Sequence, residues 1–298
     1  MTVQVTPADA ARAAIERSPR NSLPVAALRV IAETVVYRVR KLEMANMAAA
    51  ASIALALRLP IPDVMVRVAF AFVLNALVYL NNDYIDIQID LGSADKDRNK
   101  ARYLAAHKSA ALAAQWTLVA LLVGTSLFYD VGLLVPLIAG GGICLWYSAQ
   151  LKHRPYLDIG AMIVWGVTMP LCGTPVAHPV GLWMAIQLGL FSGVFESIQV
   201  VRDADEDAQE HVRTTAVVLG KRRTMQLARA LMVASSAYAA AFLQPWAAAV
   251  SLLAFLVPFS EDAVEKYWTR VKLIYGVSWV VICASVFLTG QRSGWLFP

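Results

Sequence analysis

The chain has 298 residues, 58% hydrophobic and 16% charged, with a mean hydropathy of +0.56 and a formal charge of +5. A soluble domain carries roughly 25% charged residues, so a soluble globular protein is excluded and a polytopic membrane protein is expected. The basic excess lies in loops between apolar runs, which argues for cytoplasmic loops and against a nucleic-acid partner.

No cleavable signal peptide is expected, because Arg12, Arg17, Arg20, Arg29, Arg38 and Arg40 interrupt the first forty residues. Residues 1–41 read as a cytoplasmic N-terminal segment, disordered around Ser18, Pro19 and Pro24. Its latter part, Val25 to Val39, reads as an amphipathic helix at the interface. Residues 42–298 read as one transmembrane domain. Nine apolar runs, near 42–59, 64–82, 110–129, 131–150, 157–176, 181–201, 224–243, 245–259 and 271–290, are each close to the ~20 residues that cross a bilayer. Ala, Gly and Ser in several of them suit close helix packing in lipid. The loops after the second, fourth, sixth and eighth runs carry Lys and Arg, and the others are nearly free of them. That alternation predicts a cytoplasmic N-terminus and an external C-terminus. Cys144, Cys172 and Cys283 lie in apolar runs without metal-ligand spacing and read as small buried hydrophobes.

Two acidic stretches interrupt this pattern, Asn82-Asp83-Tyr84-Ile85-Asp86-Ile87-Gln88-Ile89-Asp90 and Arg202-Asp203-Ala204-Asp205-Glu206-Asp207. Carboxylates at i,i+4 repel one another and disfavour a helix C-terminus, so a cation is expected there. On a helix, Asn75, Asn82, Asp86 and Asp90 form one stripe with Asp83 beside it. Glu196, Gln199, Asp203 and Asp207 form another. Buried polar stripes in a membrane protein face the bundle interior, so the two together predict one central polar cavity open to the cytoplasm. Aspartates without histidine or thiolate partners favour a hard cation. Mg²⁺ takes one or two carboxylates and fills its shell with water and phosphate oxygens. The nearby Lys100, Arg102, Lys108 and Lys152 could then grip phosphate. Taken singly, each is better explained by the positive-inside rule, and a lone Asp-rich loop by solvation.

With these residues in view, the chain resembles the UbiA superfamily of intramembrane prenyltransferases. Asn82, Asp83, Asp86 and Asp90 fill the family's NDxxDxxxD motif, and Asp203 and Asp207 its DxxxD motif. The stretch from Thr214 to Gly220 is similar to the family's S/T-T-A/L-x-x-x-G continuation, and the stretch from Tyr147 to Asp158 to its YSxxLKRRPxLD segment. The resemblance covers most of the chain from about residue 40. It implies an all-α bundle of nine transmembrane helices around a central cavity. It also implies Mg²⁺ as cofactor, an isoprenyl diphosphate donor, and a lipophilic acceptor, aromatic or quinone-like. On that reading Asp83, Asp86, Asp90, Asp203 and Asp207 hold the metal. Asn82 orients the cluster, Lys100, Arg102 and Lys152 neutralise the leaving diphosphate, and Tyr147 positions the donor. Glu196, Gln199 and Asn46 are further substrate-binding candidates. Asp86, Asp203, Arg102, Lys152 and Tyr147 are the catalytic set.

The chain departs from the family after the first motif. Where the family runs N-K-P-x-R-P, it reads Asn99-Lys100-Ala101-Arg102-Tyr103, without either proline and one residue shorter. The first run lacks the family's R-P pattern and has Arg40, Lys41, Glu43 and Asn46. Two other functions bear weighing. A terpene cyclase of the same superfamily would ionise the donor without an acceptor, with Trp165, Phe191 and Phe195 as candidate aromatics for the cation. A secondary transporter would use intramembrane acids, but the acids gather at one face and no matched pair of broken spans is evident.

Overall fold

The computed structural model describes residues 22–41, 43–92 and 98–290, with the backbone alone at 89, 92, 98 and 99. The stretch 1–21, Lys96, and the side chain of Asn99 lie outside what is described. Every regular element among the described residues is helical. In chain order these are α1 (Leu23–Arg40), α2 (Ala45–Ala56), α3 (Ile61–Ile85), α4 (Ile87–Gly92), α5 (Arg98–Ala106), α6 (Lys108–Phe128), α7 (Gly141–Ala149), α8 (Leu157–Thr168), α9 (Pro179–Gln209), α10 (Thr215–Leu219), α11 (Lys221–Tyr238), α12 (Pro245–Leu252) and α13 (Val264–Thr289). Proline stands in the first turn of α1, α3, α9 and α12, where its missing N–H costs nothing and its φ is already helical.

Six helical segments are long and apolar enough to cross a membrane: Ile61–Ile85, Lys108–Phe128, Val131–Ala149, Pro179–Gln209, Lys221–Leu243 and Glu261–Thr289. Three shorter apolar segments, Ala45–Ala56, Leu157–Gly173 and Pro245–Leu256, stand where the first, fifth and eighth runs are expected. α9 is the axis of the bundle, since 67% of its apolar window is buried against 28–39% in the other five. Glycine permits its contact with α8. A Cβ on Gly189 would come within 2.8 Å of the Ile163 carbonyl oxygen, so only a hydrogen allows the backbones to approach this closely.

The structure revises the boundaries at both acidic stretches. The expected loop from 202 is helical as far as Gln209, so Asp203 and Asp207 stand on α9 itself. At ~1.5 Å per residue this 31-residue helix outruns a ~30 Å hydrocarbon core, so one end projects into the polar zone. The acids oppose its dipole, but Arg202 pairs with Asp203 and Lys221 with Asp205. The first acidic stretch is not one continuous stripe. α3 ends at Ile85, Asp86 caps it with φ −87° and ψ 8°, and α4 restarts at Ile87.

Candidate functional site

Breaking the helix at Asp86 divides the first motif. Asp86 lines a pocket of about 300 Å³ together with Tyr147, Lys152, His153, Glu196, Gln199, Asp203, Asp207 and Thr214. Asn82, Asp83 and Asp90 line a second pocket of about 180 Å³ with Tyr37, Arg38, Glu43 and Lys100. The motif residues expected to line one central cavity divide between these two pockets. The α9 stripe is intact, because all four of its residues line the larger pocket.

Each motif acid has a partner. Lys152 donates to Asp86 Oδ1 at 2.6 Å. Asp83, 3% exposed, is bracketed by Arg38 Nη2 at 2.6 Å and Lys100 Nζ at 2.5 Å. Arg202 holds both oxygens of Asp203, at 2.6 and 2.9 Å. Asp207 accepts from the Thr214 hydroxyl at 3.1 Å. Asn82 accepts from Ser148 at 2.8 Å, and the Tyr147 hydroxyl donates to Glu196 at 3.0 Å. Among the described residues no three His, Cys, Asp or Glu side chains come together as a metal cage. An all-oxygen donor set spread along a pocket suits a hard cation that takes one or two carboxylates and completes its shell from water and phosphate.

Two predicted residues stand apart. Arg102 is exposed on α5 and lines neither pocket. Asn46 is buried and donates to Asn75 at 3.0 Å, while Asn75 Nδ2 contacts Met44 Sδ at 3.2 Å. Asn75 thus ends its stripe in a closed amide pair instead of extending a cavity. Glu43 lies 36 residues before Tyr79 but meets it in space: its carbonyl accepts from the Tyr79 hydroxyl at 2.7 Å and its carboxylate from Arg38 at 2.5 Å.

Sequence reasoning missed Arg38 and Asp158. Arg38 stacks over the Tyr79 ring at 4.2 Å while bonded to Glu43 and Asp83. Burial works against its charge, but Asp83 and Glu43 prevail and raise its pKa above the ordinary value. In the sequence it was one of several arginines in the N-terminal segment, whose helix was read as interfacial. Asp158, fully buried, accepts from the Thr215 backbone N–H at 2.6 Å and from the Thr215 hydroxyl. The Tyr156 N–H donates to the same hydroxyl at 2.7 Å and holds Tyr156 at φ +66°, a region a bulky residue rarely adopts. The Tyr147–Asp158 stretch and the Thr214–Gly220 stretch are therefore one clamp, with Asp207 tied to its edge through Thr214.

The model of the UbiA prenyltransferase family matches residues 45–272. The chain belongs to this family. It is a multi-pass membrane protein of the UbiA fold. A UbiA homolog from Archaeoglobus fulgidus, solved with DMAPP and Mg²⁺, aligns at a TM-score of 0.58 and 12% identity, over 87% of this chain and 89% of that one. The same homolog with GPP and Mg²⁺ aligns at 0.56 and 13%, again over 87% and 89%. A digeranylgeranylglyceryl phosphate synthase aligns at 0.60 and 14%, over 88% and 99%. No curated protein sequence matches the chain at a significant level. The candidate cyclase aromatics do not line the acidic pocket of this UbiA chain. Phe191 and Phe195 pack on Tyr275 at ring distances of 4.5 and 5.7 Å, and Trp165 packs into another core cluster.

Proposed function

We propose that this protein is an integral-membrane prenyltransferase that uses Mg²⁺ to ionise an isoprenyl diphosphate and transfers the prenyl group to an aromatic or quinone-like acceptor. One observation carries the reading: Asp86 from the first motif and Asp203 and Asp207 from the second line a single pocket with Lys152. The likeness to a homolog solved with DMAPP or GPP and Mg²⁺ supports the donor class and the metal. On this reading Asp83, Asp86, Asp90, Asp203 and Asp207 are the metal-binding acids. When bound, Mg²⁺ supplies the positive charge that stabilises the departing diphosphate.

The residues of the chain do the rest. Lys152 and Lys100, each already paired with a motif carboxylate, exchange that partner for a phosphate oxygen, and Arg102 adds charge from the exposed side of α5. Asn82 and Ser148 fix the end of α3. Tyr147, held by Glu196, positions the reacting end of the donor, and Gln199 offers an amide between Glu196 and Asp203. Nine membrane crossings accommodate the six long and three shorter apolar segments. The basic-loop alternation supports a cytoplasmic N-terminus, an external C-terminus and an active site that faces the cytoplasm. Residues 1–41 are the interfacial segment and 42–298 the transmembrane domain.

The test is Mg²⁺-dependent diphosphate release from a panel of allylic diphosphates by the purified protein. Release at the wild-type rate by Asp86→Ala or Asp203→Ala would sink the proposal.

A further inference from the structure

Glu196 is a buried acid of this pocket that stands outside the metal-binding set. It is 7% exposed and lies on α9 seven residues before Asp203. At ~1.5 Å per residue it stands about 10 Å farther from the polar end of that helix. Its neighbours Val194, Ser197 and Ile198 are completely buried. The cations near it are committed elsewhere, Lys152 to Asp86 and Arg202 to Asp203. Its own partner is the Tyr147 hydroxyl at 3.0 Å. Both residues line the 300 Å³ pocket that holds Asp86 and Asp203. A carboxyl buried with one hydroxyl partner is costly. An ionisable group retained inside a membrane segment at that cost marks a substrate path.

We propose that Glu196, oriented by Tyr147, selects the acceptor by accepting a hydrogen bond from its hydroxyl group, and so favours uncharged phenols or alcohols over acceptors that carry a carboxylate or phosphate. This rests on the prenyl-transfer reading of the same pocket. The Tyr147 hydroxyl occupies one carboxyl oxygen of Glu196 and leaves the other to accept from a hydroxyl, while an added anion would meet the carboxyl groups of Asp86, Glu196 and Asp203 in the same pocket. In a dry site both effects are strong. An ammonium acceptor would meet Lys152 in the same pocket. Depth supports the assignment: the metal and diphosphate belong at the level of Asp203 and Asp207. Glu196 lies deeper, where the hydrocarbon end of the donor and a lipophilic acceptor meet.

The experiment uses the full-length protein in lipid nanodiscs with Mg²⁺ and an allylic diphosphate that it turns over. Two acceptors are compared, a phenol and the same phenol with a ring carboxylate. Wild type is expected to prefer the neutral phenol in kcat/KM. Glu196→Gln is expected to lower that preference about tenfold, the size of one buried hydrogen bond, and Glu196→Asp to restore part of it. The wild-type preference reads the same property without relying on a variant that folds. A wild type that prefers the carboxylated phenol, or an unchanged preference in Glu196→Gln, overturns the inference while prenyl transfer stands. A wild type that releases no diphosphate from any donor overturns the transfer reading and this inference with it.

Discussion

Lys152 and Asp86 stand 66 residues apart in sequence and meet in a 2.6 Å ion pair at the pocket where the two acidic motifs converge. Both side chains are largely shielded, so removing one strands the other. Lys152→Gln is expected to lower diphosphate release about 100-fold, in line with the loss of one preorganised group that stabilises a departing anion. Lys152→Arg should recover part of it by keeping the charge. Steady-state release at saturating donor is the measurement, and a full rate in Lys152→Gln would remove this residue from the leaving-group role.

Arg38 ties the N-terminal helix to the first motif. It bonds Asp83 on α3 and Glu43 just after α1, and Asp83 is deeply buried. Breaking a buried pair costs about 3 kcal/mol, so Arg38→Ala should lower stability by that order. Asp83→Asn should cost much less in the Arg38→Ala background than alone, with a coupling of about 1 kcal/mol or more. Additive losses in a double-mutant cycle, read from melting in detergent, would show that the pair does not hold the helix.

The Asp158 clamp predicts an effect at a distance from the pocket. Asp158 accepts from its own neighbour Ile159 and twice from Thr215, and Thr214 next to it bonds Asp207. Asp158→Ala leaves those donors unpaired in the core, a loss of roughly 2–3 kcal/mol. Amide exchange should accelerate first at Thr215, and the Mg²⁺ concentration for half-maximal activity should rise as Asp207 loses its anchor. Unchanged exchange at 212–219 would sink this account.

His153 gives a pH dependence with a definite sign. Burial, and then Lys152, lower its pKa from the ordinary 6.5, against an opposing pull from Asp86. The folded protein therefore binds fewer protons than the unfolded chain in the window just below that value. The associated stability is present above pH 6.5 and is lost as pH falls through the depressed value. His153→Asn should melt alongside wild type at pH 8 and gain on it at pH 5. The gain is small, because the ring is exposed. Parallel pH curves for the two proteins would contradict the shift.

The stripe Glu196, Gln199, Asp203 and Asp207 was legible in the sequence because it depends only on helical spacing, and the helix that carries it runs unbroken from Pro179 to Gln209. The split of the first motif was not legible. It depends on where α3 breaks and on Arg38, 45 residues before Asp83, and no local pattern reports a contact across that distance. Asn46 misled for the same reason, since its partner Asn75 lies on the next helix. Arg102 was chosen from the family's loop pattern, yet the loop lacks both prolines, and α5 leaves that side chain exposed. The apolar runs were found, but three are shorter as helices than as hydrophobic stretches, because Pro, Gly and tight turns end them early.

The charge of the larger pocket makes the final prediction. Asp86, Glu196, Asp203, Asp207 and Glu210 line it against Lys152, with His153 neutral above its depressed pKa. Such a surface repels a diphosphate until a divalent cation is present. Chelation of the metal should therefore weaken donor binding by about 100-fold or more. The sign of a single substitution should then depend on the metal. Asp207→Asn removes a ligand and should weaken donor binding with Mg²⁺ present. Without metal it removes a repelling charge and should tighten the residual binding. Equilibrium binding of a non-hydrolysable prenyl diphosphate analogue, with Mg²⁺ and with chelator, measures both. The same sign in the two conditions would mean that Asp207 acts by shape and not through charge, and would take it out of the metal-binding set.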